Sequence, residues 1–364
     1  MVKPVSFALL RPVAMMLVAF SLVGGLVGGL IRAGAVSNPA APWALSAAAW
    51  HAALMMPAFF GAVIGIERAV AVRARWAYLA PLASALGGVG LLTGHLDWAR
   101  VCFVLAATVF VAVNALIVRR QSAPHTWLLL GSAIVLWLAN GSFAWTGMSE
   151  AVLAAWFAFL VLTIAAERLE MSRLMRRHPA AHPLLGVVLL ALSLGLVGSW
   201  MGASWAGGLF GISLVGLAAW LGAFDVARRT IHTQGLSRYM AVCLLLGYAW
   251  LAVAGLCWWA HDSGGAYRDA ALHALGLGFV MSMVMGHAPV ILPAVARIKV
   301  HYDARFYLPL AALHASLLLR LLGGHASAQL KAWGAGLNVA SLVLFVLTMV
   351  TAAISWQRRH RRHS

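Results

Sequence analysis

The chain has 364 residues, 63% of them hydrophobic and only 10% charged, with a mean hydropathy of +0.90. That balance excludes an ordinary soluble globule. The formal charge of +17 sits in clusters between apolar runs, which points to lipid headgroups and not to nucleic acid as its contact.

A membrane span needs about 20 mostly apolar residues, and twelve stretches supply them. They run approximately over residues 12–31, 43–66, 77–94, 98–118, 126–146, 150–167, 183–201, 204–224, 239–260, 269–293, 305–322 and 332–355. The first run, with Lys3 and Arg11 before it and Ala33-Gly34-Ala35 after it, is longer than a signal-peptide core and has Arg32 at its end. An uncleaved first span is therefore expected. Gly24, Gly25, Gly28 and Gly29 in this span, and Gly61 and Gly65 in the second, have the spacing that lets helix backbones approach closely in lipid.

The second span carries His51, a kinking Pro57 and a terminal Glu67-Arg68. The fourth and fifth carry Asn114 and Asn140, expected to bridge helices. The sixth ends in Glu167-Arg168, and residues 159–168 echo residues 59–68 at an offset of four helices. Local ion pairing at helix ends explains that echo as well as a parallel repeat does. A major-facilitator transporter repeats at an offset of six helices, and the glycine its loop signature requires is missing after Glu67-Arg68. Cys102, Cys243 and Cys257 lack metal spacing and read as small buried hydrophobes. The tenth span holds His273 and His287, with Met281, Met283 and Met285 between them and Pro289 and Pro293 after them. The eleventh holds His314.

Assigning Lys and Arg to alternate sides of twelve spans places 21 of the 26 on one side, leaving Arg32, Arg100, Arg268, Arg320 and Lys331 on the other. The positive-inside rule then puts both termini in the cytoplasm. The expected architecture is all-α: one polytopic transmembrane helical bundle over residues 1–364, with a basic cytoplasmic tail over 356–364 and short loops that leave no room for a soluble domain.

His51, His273, His287 and His314 lie well inside their spans, where an ionisable side chain is a functional-site hypothesis by default. At about 1.5 Å per residue, His51 lies about 12 Å from its helix start and His287 about 21 Å below His273. The depths suggest an outer pair, His51 with His273, and an inner pair, His287 with His314. Two axial imidazoles suit a b-type haem; several suit a mononuclear copper or iron, with Met283 as a thioether option on the His287 face. The alternative is that each ring hydrogen-bonds a carbonyl or water and holds no cofactor. The remaining histidines, His125 among them, fall in loops or at helix ends.

Two segments add a family likeness. Trp50-His51-Ala52 resembles the start of the Trp-His-Ala-His-Glu-Met segment of the NnrS family, and Leu272-His273-Ala274-Leu275 resembles that family's Leu-His-Ala-Leu segment. The resemblance implies a twelve-helix protein of the bacterial inner membrane, associated with haem and copper and with nitric-oxide stress during denitrification. Ala53 and Leu54 stand where the family has its second histidine and its glutamate, and Met55 resumes the pattern. The carry-over therefore reaches His51 and His273, whereas His287 and His314 rest on depth alone. The expected function is a membrane haem or copper protein of nitrogen-oxide metabolism, with respiratory or denitrification partners. The rivals are a secondary transporter or channel for a small solute or metal ion, and an accessory subunit for assembling a respiratory oxidase or reductase.

Overall fold

In lipid every backbone polar group needs an internal partner, so long apolar runs fold as helices. The computed structural model, which describes residues 7–173, 178–264, 267–296 and 298–361, shows helices and turns and no strand among them. Lys3, Arg176, Arg177, Arg297, Arg362 and His363 lie outside the described residues. Eleven described helices are long and apolar enough to cross a membrane. The third of the twelve expected spans falls short. Its helix, Leu79–Leu92, has 14 residues, or about 21 Å, against about 30 Å of hydrocarbon. A 3-10 turn at Arg75–Tyr78 takes up the start of the apolar run, and the helix gives out at Thr93.

The chain forms two compact units, Met1–Ala166 and Glu167–Ser364. In unit 1 we number α1 (Phe7–Arg32), α2 (Pro42–Ala49), α3 (His51–Val72), α4 (Leu79–Leu92), α5 (Leu96–Arg120), α6 (Pro124–Thr146) and α7 (Glu150–Met171). The unit boundary falls within α7. Helix α1 packs against α2, α3 and α4, and α5 packs between α4 and α6. The α1 glycines serve that packing: a Cβ on Gly28 would overlap the main-chain carbonyl of Ala47. Backbone cannot yield as a side chain can, so only glycine fits there.

Helix α3 ends where Arg73 takes a left-handed conformation (φ 57°) and its N–H returns to the Ala69 carbonyl. The orphaned Val72 carbonyl accepts from Arg120 Nη1 at 3.0 Å. Asn140 ties three helices together: its Nδ2 donates to the Phe103 carbonyl at 2.9 Å, and its Oδ1 accepts from Trp156 Nε1 at 2.8 Å. Asn114, expected to act likewise, donates only to Phe110 one turn back on its own helix.

In unit 2 we number α8 (Ala181–Trp200), α9 (Ala206–Phe224), α10 (Ala227–Thr230), α11 (Gly235–Asp262), α12 (Arg268–Pro293), α13 (Ala304–Ala326) and α14 (Ala328–Arg361). Helix α11 packs against α9, α10 and α12; α12 packs on α13, and α13 on α14. Many large apolar side chains remain exposed along the spans, Val187 at 65% and Leu322 at 70% among them. Such a surface suits acyl chains and not water.

Three stretches widen from α to π geometry: Leu54–Phe60 in α3, Ala274–Met281 in α12 and Leu319–Gly323 in α13. The first contains Pro57, whose missing N–H already interrupts the α ladder. The first begins three residues after His51, and the second begins directly after His273. π-Turns inside α-helices recur at functional sites.

Candidate functional site

The hydrogen bond made by one ring nitrogen decides what the other can do. His51 Nδ1 donates to the Gly25 carbonyl oxygen on α1 at 2.7 Å. The ring packs against Gly29, where a Cβ would stand 2.9 Å from its Cε1. A carbonyl only accepts, so the proton sits on Nδ1 and the neutral ring's lone pair is on Nε2. Trp50 packs edge-on to Phe143 at 5.9 Å, inside an aromatic cluster that includes Phe103 and Trp156.

His273 repeats the arrangement on α12. Its Nδ1 donates to the Asp269 main-chain oxygen at 2.9 Å and lies 3.3 Å from the Asp269 carboxylate. That carboxylate is held by Arg320 through two hydrogen bonds, Nε at 3.2 Å and Nη2 at 3.0 Å, with Lys331 Nζ 3.5 Å away. A carboxylate behind Nδ1 raises the electron density available at Nε2, the usual outer-shell support of a metal-bound imidazole.

His287 is differently committed. Its Nδ1 donates to the Met283 carbonyl at 2.7 Å, and its Nε2 accepts from Arg168 Nη2 at 2.9 Å. Both nitrogens are thus engaged, and a metal at Nε2 would have to displace a buried guanidinium.

His314 has the opposite tautomer. Indole is a donor only, so Trp250 Nε1, 2.8 Å from His314 Nδ1, leaves the imidazole proton on Nε2. The two ring planes are nearly parallel, at 6°. Trp250 lies against Gly278, where a Cβ would fall 2.5 Å from the indole Cγ, so Gly278 makes the room. His314 Nε2 is buried without a hydrogen-bond partner. It is a proton donor in this arrangement, not a lone pair for a metal.

The residues therefore divide in their fit to haem iron or copper. His51 and His273 carry the proton on Nδ1, so the lone pair of the neutral ring is on Nε2; at His287 that lone pair accepts from Arg168, and at His314 Nε2 carries the proton. Among the described residues no group of three or more His, Cys, Asp and Glu side chains is arranged to hold a metal ion. Met283 packs against Gly247 of α11 and fills space there. Cys102, Cys243 and Cys257 are free thiols.

Several polar residues escaped the sequence reading. Arg168, Arg68 and Arg320, counted there among flanking charges, are 4%, 8% and 7% exposed. His125, placed at a helix end and expected in solvent, is buried. Within the sequence echo, Arg68 bonds its neighbour Glu67 at 3.4 Å, as local pairing requires, whereas Arg168 reaches His287. Asp225, just past α9, is also buried; its Oδ1 caps the Ala227 N–H at 2.7 Å. Burial pushes the Asp225 carboxyl above the usual carboxylate range, and Arg168 offsets part of that rise. The signal available in the sequence was the scarcity of acids, nine in 364 residues, so any acid beside a span merited scrutiny.

No curated protein matches the chain. Residues 11–354, nearly the full length, match the family described as "Domain of unknown function (DUF8744)", and the chain belongs to that family.

Proposed function

We propose that the chain is an NnrS-like haem protein of the bacterial cytoplasmic membrane, or a copper protein of that setting, acting in nitrogen-oxide metabolism or nitrosative-stress defence. Twelve crossings, with α4 as a short one, and both termini on the basic cytoplasmic side complete the reading. His51 of unit 1 and His273 of unit 2 are each a proposed ligand. The observation that carries the reading is their shared design: each ring fixes its proton on Nδ1 against a main-chain carbonyl and precedes a π-helical stretch. When bound, haem iron or copper would supply one-electron redox chemistry. The protein's part is to orient each imidazole and to hold its tautomer. Arg320 and Lys331 do so for His273 at one remove, through Asp269.

The test is an optical spectrum with iron and copper analysis on detergent-purified protein. A Soret band with stoichiometric iron, or stoichiometric copper without one, is expected; colourless, metal-free protein from cells replete in haem and copper would overturn the reading. In that event a transporter or channel becomes the better reading. The buried Arg168, Asp225 and His287 favour it, because ionisable groups inside a membrane protein commonly mark solute or proton routes.

A further inference from the structure

The second unit buries a group of four polar side chains that the haem reading does not use. Arg168 comes from the end of α7, Asp225 from the α9–α10 junction, Tyr248 from α11 and His287 from α12. Arg168, Asp225 and Tyr248 are each 4% exposed. A buried carboxylate beside a buried guanidinium would ordinarily close an ion pair. Here a guanidinium N–H donates to the neutral imidazole of His287. The Asp225 carboxyl and the Tyr248 hydroxyl face one another, with Asp225 Oδ2 and the phenol oxygen both buried from solvent.

The phenol can accept from a protonated Asp225 or donate to an ionised one, so the pair has a hydrogen-bonded arrangement for each state. Of the other titratable groups on the packed elements, Glu167 and Glu170 of α7 flank Arg168 in sequence and are half-buried. Arg228, Arg229, Arg238, His178 and His182 are exposed, and Tyr239 and Cys243 lie with Tyr302 and Tyr307 in a separate cluster.

We propose that Asp225 and Tyr248 form a proton-binding site that sets the partner of Arg168. With the proton on Asp225 Oδ2, that O–H donates to the Tyr248 oxygen and Arg168 donates to His287. When the proton leaves to water, the phenol O–H turns to the carboxylate. Arg168 then moves to Asp225, and His287 Nε2 is released as a proton acceptor. One proton enters or leaves, and no other bond changes.

The test uses the full chain in lipid nanodiscs, with infrared difference spectra and histidine nitrogen resonance followed across pH. A carboxylic-acid C=O band that Asp225→Asn abolishes is expected. The His287 Nε2 signal, assigned with His287→Gln, should step at the same midpoint and become flat in Asp225→Asn. Tyr248→Phe, which removes the hydroxyl that supports the carboxylate, should raise that midpoint. Absence of an Asp225 acid band at every pH, or a His287 signal that keeps its step in Asp225→Asn, would overturn the proposal. Should Asp225→Asn fail to fold, Tyr248→Phe decides, because an unmoved midpoint would equally overturn it.

Discussion

The deep polar contacts of unit 1 are largely neutral. Asn140 joins the Phe103 carbonyl to the Trp156 indole, and Thr163 donates to Ser132 at 3.2 Å. Arg68, buried in this unit, is matched by the adjacent Glu67. Unit 2 is built on ions: Arg168 against His287, and Arg320 with Lys331 on Asp269, while Asp225 has no direct cationic partner. Neutral contacts of the first kind glue helices and stay the same at any pH. Ionised groups cost more to bury and change state with protons, so a fold that keeps them has a use for them or depends on their pairing.

This contrast is sharpened most by Arg168→Met. At a pH where Asp225 is ionised, the loss of its nearby cation should cost about 3–5 kcal/mol, read by thermal or denaturant unfolding in detergent. At a pH where Asp225 holds its proton the cost should be smaller. An equal cost across pH would erase the distinction drawn for unit 2. Next in size is Asn140→Leu, which leaves the Trp156 N–H without its acceptor and cuts the side-chain tie to the Phe103 carbonyl. A loss of about 1–2 kcal/mol is expected, in line with hydrogen bonds between membrane helices, and it should not vary with pH.

Asp225→Asn follows, with a sign opposite to that of a paired acid. The folded state holds the Asp225 proton at a pH where the unfolded chain has lost it, so wild-type stability falls as pH rises through that window. The Asn variant lacks this fall, and its melting temperature should gain on wild type toward alkaline pH. Asp303→Ala should have the least effect. Asp303 caps the turn before α13 by accepting from the Arg305 N–H at 2.9 Å, and its hydrogen bond to Arg305 holds its carboxyl below the usual range. Caps contribute about 0.5–2 kcal/mol, and this exposed one belongs at the low end; the contribution fades as pH drops through the carboxyl's depressed value.

Much of the helical pattern was legible because apolar length alone forces helices in lipid. The exception, Leu79–Leu92, turned on a 3-10 turn whose residues, Arg-Trp-Ala-Tyr, carry no strong breaker. The four histidines were legible as outliers in apolar runs, but their protonation was not. His314 owes its tautomer to Trp250, 64 residues away in sequence, and His287 owes its second hydrogen bond to Arg168, 119 residues away. Spacing carries no trace of such partners. Arg168 and Arg320 were hidden for another reason: an arginine flanking a span looks like a topological charge whether it snorkels to the headgroups or turns inward. The π stretches after His51 and His273 reflect hydrogen-bond register, which Pro57 hints at in α3 and nothing marks in α12.

The assignment of His51 and His273 as ligands is most directly tested by measuring bound haem or copper in four single variants, His51→Ala, His273→Ala, His287→Ala and His314→Ala, purified alongside wild type. Loss of the bound group in the first two, with the last two retaining it, is the expected result. Retention in His51→Ala and His273→Ala together with loss in His287→Ala or His314→Ala would contradict it.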